Sequence, residues 1–97
     1  MIKHVVCYKL KDNSLEKKQE VKNKLLTMEG KLNYFTSIKV GLDILGSERS
    51  YDVVLEMTFN TLEDMKNYQK DDYHFNVIKP YMKEVRTNSV SVDYEIN

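Results

Sequence analysis

Tyr68 and His74 stand six positions apart around the end of a helical stretch, and His4 lies close to the start of the chain. These are the residues whose types suit chemistry. A neutral imidazole near pH 7 takes up a proton, and a phenol donates a hydrogen bond to a developing oxyanion. Together they suffice for aldol-type or proton-abstraction chemistry with no metal and no cofactor. Packing roles stand beside that reading. A tyrosine at helical spacing usually packs its ring, and a histidine after a helix often bonds a backbone carbonyl. His4 shares a strand face with Val6 and Tyr8, where a histidine is more often a satisfied core residue than a ligand. If it meets His74 beneath the helices, the two can polarise one molecule from opposite sides, which geometry decides.

Other chemistries are less well served. Cys7, the single cysteine, has no intrachain partner and belongs to no CxxC pair. It is three positions from His4 on a strand, so the two point to opposite faces. No short paired ligand spacing marks a structural zinc site. Lys plus Arg and Asp plus Glu both number 15, giving zero formal net charge. A balanced, well-mixed chain has no bulk attraction to nucleic acid or anionic membrane. No apolar run approaches the roughly 20 residues of a membrane span. MIKHVVCYKLKD reads as a strand and not a signal peptide. A reduced, cytoplasmic compartment is the expectation.

The elements that position these groups follow from periodicity. Residues 2–10 read as a strand, with Ile2, His4, Val6, Tyr8 and Leu10 opposite Lys3, Val5, Cys7 and Lys9. Asn13 and Glu16 have capping-box spacing, and a helix runs from there to about Leu32 on the stripe Val21, Leu25, Met28, Leu32. Residues 35–44 and 51–59 are the second and third strands. Asn60 with Glu63, or Thr61 with Asp64, starts a second helix with Leu62, Met65 and Tyr68 inward. The pattern breaks near Lys70–Asp72. It resumes from Tyr73 with Ile78, Met82 and Val85, where Pro80 must begin or bend a helix. Residues 89–96 alternate cleanly as the fourth strand. Tyr8, Tyr51 and Tyr94 are expected to face the helices.

The order is β-α-β-β-α-β over one domain, 1–97. Right-handed crossovers make the strands flanking each helix parallel. The two units interleave into a four-stranded antiparallel sheet with both helices on one face, an α+β ferredoxin-like arrangement. The other face, with Val5, Cys7 and Val54, is too apolar for solvent, and a chain this short is marginal alone. A second copy is expected to cover it.

His4, Tyr8-Lys9, Gly41, Tyr51-Asp52, Phe59, Tyr68 and His74 together resemble the stress-responsive A/B barrel (Dabb) family over nearly the whole chain. The resemblance implies a homodimer whose two sheets close an α/β barrel. It does not imply one activity. Most members have no assigned reaction, and some plant members cyclise polyketide chains. In those, a Tyr and a His spaced like Tyr68 and His74 serve the chemistry, and a His at the place of His4 lies in the pocket. This chain departs from them in the third strand, where Val53 replaces a further polar residue. It also departs along the first helix, where Val21, Lys22, Leu25 and Leu26 replace an aromatic lining.

The favoured reading is a small-molecule-binding barrel protein. Its pocket lies between sheet and helices, lined by His4, Val6, Tyr8, Leu55, Met57, Tyr68 and His74. The enzymatic alternative is a cofactor-free cyclase or lyase with His74 as general base, Tyr68 as oxyanion partner and His4 as orienting donor. A purely structural oligomer is the second alternative.

Overall fold

In the computed structural model, which describes residues 1–96, the fold starts with β1, Ile2–Leu10. Its even-numbered residues turn inward, with His4, Val6 and Leu10 buried. Helix α1 spans Leu15–Leu26. Its cap is Ser14, not Asn13: the Ser14 hydroxyl accepts from the Lys17 N–H at 3.2 Å. Asp12 in turn accepts from the Ser14 N–H at 3.0 Å, which places the hydroxyl one residue later than the capping-box spacing suggests. The helix also stops earlier than its apolar stripe. Thr27 is the C-cap, yet Met28 and Leu32 remain buried. A turn through Gly30, at φ +108, carries them. That region favours glycine because it has no Cβ to clash.

Strands β2 (Ser37–Leu42) and β3 (Val53–Phe59) form an antiparallel pair. Each is shorter than its alternating pattern. Helix α2, Leu62–Lys70, is capped by the Thr61 hydroxyl accepting from the Asp64 N–H at 3.1 Å. Asp71 then breaks the helix with an extended ψ of 140. Its carboxylate accepts from the Tyr73 N–H at 2.8 Å and starts the next helical stretch. A π-helical turn, His74–Ile78, leads into α3, Lys79–Val85, with Pro80 in its first turn. There proline's missing N–H costs nothing. Strand β4, Arg86–Glu95, begins three residues before the clean alternation of 89–96. Asn88 pairs with Lys9 and Arg86 with Leu10 across a register shift at Lys9/Leu10.

The strand order is β2-β3-β1-β4, with every neighbouring pair antiparallel. This is the ferredoxin-like βαββαβ arrangement. Helices α1 and α2 roof β2 and β3, and α3 reaches β4. Leu55, Met57, Phe59, Val21, Leu25 and Tyr68 fill the core between them.

The bare face is more apolar than Val5, Cys7 and Val54 alone. Val5 pairs with Val92, Cys7 with Val90 and Lys3 with Tyr94. Directly paired residues share a face, so Tyr94 lies on the open side, away from the helices where the alternation had placed it. Val90, Val92 and Tyr94 are 48%, 62% and 47% exposed. Tyr51 also departs from its expected face. β3 begins only at Val53, and the Tyr51 ring lies under Lys9 Nζ, 5.2 Å from its centroid, on the open side. Asp52 turns inward instead. Its Oδ2 accepts from the Leu10 N–H at 2.7 Å, satisfying a donor next to the register shift. No helix of the described residues is long and apolar enough to cross a membrane.

Candidate functional site

A cavity of about 250 Å³ opens between β1, β4 and the segment from the end of α2 through α3. It lies on the β1–β4 side of the sheet because α1 and α2 cover the β2–β3 side. His4, Val6, Tyr8, Tyr68 and His74 all line it. Leu55 and Met57 do not. They sit on β3 under the helical roof, 1% and 0% exposed, and serve as core.

Tyr68 is the centre of the cluster. Its ring centroid is 4.5 Å from that of His74 and 6.1 Å from that of His4, so the phenol packs against both imidazoles. Phe59 closes the inner side, 5.4 Å from Tyr68 and 6.4 Å from His4. The Tyr68 side chain is 1% exposed, and burial, with Tyr8 nearby, pushes its hydroxyl far above the ordinary value of 10. Burial pushes the Tyr8 hydroxyl up to about 12, with the Arg86 charge pulling the other way. Neither phenol hydroxyl has a hydrogen-bond partner among the described residues. Among the described residues no fully buried side-chain polar atom is left unpartnered, so both hydroxyls retain access to solvent, and both residues line the cavity.

The two histidines are held differently. His4 Nδ1 is bonded to the Asp93 carboxylate, whose residue is its direct partner on β4. A carboxylate only accepts, so Nδ1 carries the proton and the ring is fixed in place. His74 Nδ1 donates to the Gln69 carbonyl at 3.3 Å, which leaves Nε2 as the acceptor nitrogen. Burial holds the His74 imidazole below its ordinary 6.5, helped by the charges of Lys79 and His4 and opposed by the Gln69 bond and Asp71. It is therefore neutral at pH 7. His74 opens a π-helical turn just past the break at Asp71, and such turns are frequent at functional sites.

The arrangement brings together a neutral base, a buried phenol and an anchored imidazole. Among the described residues no three His, Cys, Asp or Glu side chains cluster as a metal site. Cys7 lies on the opposite face of the sheet. Several lining residues escaped the sequence reading: Gln69, Lys79, Arg86, Ser89 and Ser91, with Asp93 behind His4. A signal for half of them was present. Once the apolar set of β4 belongs to the open face, its polar set, Ser89, Ser91 and Asp93, must face the cavity.

The fold and this half-open site define a ferredoxin-like α+β protein with a small cavity beside its edge strand. The sequence matches the family model described as Stress responsive A/B Barrel Domain over residues 2–96, and the chain belongs to that family. No curated protein matches it significantly. A dimeric protein of unknown function with a ferredoxin-like fold from Bacteroides fragilis is 29% identical. It superposes with a TM-score of 0.79 over 98% of this chain and 95% of that one. An Arabidopsis thaliana protein is 21% identical, with a TM-score of 0.84 over 100% and 96%. The hydroxynitrile lyase of Passiflora edulis is 17% identical, with a TM-score of 0.81 over 99% and 93%. The last two show likeness of fold alone.

Proposed function

We propose that this chain is a homodimeric A/B barrel protein that binds a small organic molecule in the cavity around Tyr68. The observation that carries the reading is the pair of unpartnered phenol hydroxyls on residues that line a cavity together with two oriented imidazoles. Polar groups left without protein partners at the wall of a concave, partly apolar site are what a ligand satisfies. A filled core would have paired them internally. The open face of the sheet supports the homodimer, because Val5, Val54, Val90, Val92 and Tyr94 form a contiguous apolar surface of the kind that marks an interface. Its dimeric Bacteroides fragilis neighbour is consistent with that assembly. The single cysteine fits the cytoplasm as the compartment.

The test is a search for small molecules that co-purify with the protein or raise its melting temperature. A ligand that binds only the native state stabilises it in proportion to occupancy. The expected result is a ligand whose stabilising effect is lost in His74→Ala. A reaction lost in His74→Ala with affinity retained would replace this reading with the cofactor-free cyclase or lyase. No stabilising ligand from a broad library, together with none co-purifying, would leave the cavity without a role.

A further inference from the structure

The charge of the cavity wall is one-sided. Lys79 and Arg86 both line it, and among the described residues no Asp or Glu does. Of the acids near the wall, Asp93 is engaged by His4, and Asp71 accepts from the Tyr73 N–H and the Tyr34 hydroxyl. His74 is neutral and the serines and phenols carry no charge, so among the described residues the wall holds cationic side chains and no anion. The cations are not equivalent. Lys79 is exposed and leans on the Phe75 ring, its Nζ 5.2 Å from the centroid. Arg86 is half-buried at the start of β4 and forms no salt bridge among the described residues. Its charge reaches the Tyr8 hydroxyl inside the cavity. A half-buried guanidinium beside an unpartnered phenol is a cationic fork that lacks its anion.

On the reading that this cavity binds a small molecule, we infer that its ligand is a small organic carboxylate held at Arg86. A planar guanidinium matches the two oxygens of a carboxylate bidentately. Lys79 is exposed and its Nζ already sits over the Phe75 ring, which leaves the half-buried Arg86 fork as the principal anion contact. The ligand's apolar body lies along Val6, Ile78 and Met82, with its far end at Tyr68 and His74. The volume of about 250 Å³ is below the roughly 300–1,000 Å³ of drug-sized sites, which suits a compact acid.

Titration of the full chain with benzoate against benzamide, and hexanoate against hexanamide, separates charge from shape. The carboxylates are expected to bind about tenfold more tightly than their amides, equivalent to ~1.4 kcal/mol. Arg86→Met should erase that ratio while keeping the amide affinity, and Lys79→Met should preserve it. Should Arg86→Met fail to fold, the side-chain Nε resonance of Arg86 in the wild type gives the same answer. It is expected to move with carboxylate and stay still with amide. Equal affinity for acid and amide, or a preference that survives Arg86→Met, overturns the inference and leaves the cavity reading standing. Absence of saturable binding by all four probes also overturns it, and the cavity reading is then judged separately by the co-purifying ligands.

Discussion

His4 and Asp93 face each other across neighbouring strands, and the Asp93 carboxylate accepts the proton on His4 Nδ1. The pair lies at the edge of the cavity, with the His4 side chain 9% exposed and that of Asp93 35%. Asp93 thus orients the imidazole from outside. Asp93→Ala leaves a buried ring N–H without its acceptor, which should cost about 1–3 kcal/mol in urea unfolding, and it removes the acceptor that selects the His4 tautomer. Nitrogen-15 spectra of the imidazoles check this. An unaltered His4 pattern in the variant would show that something else orients the ring.

Tyr68 is buried by its ring and idle at its hydroxyl. Tyr68→Phe should change stability by less than about 0.5 kcal/mol, since no protein hydrogen bond is lost. Tyr68→Ala should cost about 3–5 kcal/mol, the range for emptying a buried aromatic site. Denaturant unfolding of the two variants reads the contrast. A large loss in Tyr68→Phe would reveal a hydrogen bond at that hydroxyl.

Asp52 is buried and bonded to the Leu10 N–H at 2.7 Å. Asp52→Ala leaves that donor without an acceptor beside the register shift, which should cost about 1–3 kcal/mol. Asp52→Asn keeps an oxygen acceptor and should cost less. Equal losses in the two variants would point away from this hydrogen bond as the source of the effect.

Burial lowers the His74 pKa beneath its ordinary 6.5. Between the folded value and 6.5 the unfolded chain binds more protons than the native one, so stability rises with pH through that window. Above it the contribution is complete; on acidification through it, stability falls. The difference in unfolding midpoint between wild type and His74→Gln should carry this slope below about pH 6.5 and flatten above it. A difference that is flat throughout would show that folding does not perturb His74.

Val92 is 62% exposed opposite Val5 on the open face. If a second copy covers that face, Val92→Glu buries an unpaired charge and should shift sedimentation from dimer to monomer. A dimer that tolerates this charge at micromolar concentration places the interface elsewhere.

The architecture was legible because the two helical regions and four strands each carry their own period. What misled was local. Asn13 and Ser14 are both good caps, and only the Asp12 side chain, bonding the Ser14 N–H, decides between them. Met28 and Leu32 continued a helical stripe that a turn through Gly30 maintains without a helix. Leu55 and Met57 were right in face but wrong in neighbourhood, because alternation gives the side of a sheet and not which part of it the helices leave open. Arg86 and Lys79 were invisible as site residues, since their place depends on where α3 ends and β4 begins.

Strand β4 carries two independent messages in alternate letters. Positions 89, 91 and 93 face the helix side of the sheet, while 90, 92 and 94 belong to its outer surface, Val90 also lining the cavity. Ligand preference can thus be rewritten at the odd positions without disturbing what the even ones meet. A single inserted residue between Arg86 and Ser89 would transpose both messages at once, putting valines against the imidazoles and serines on the greasy exterior.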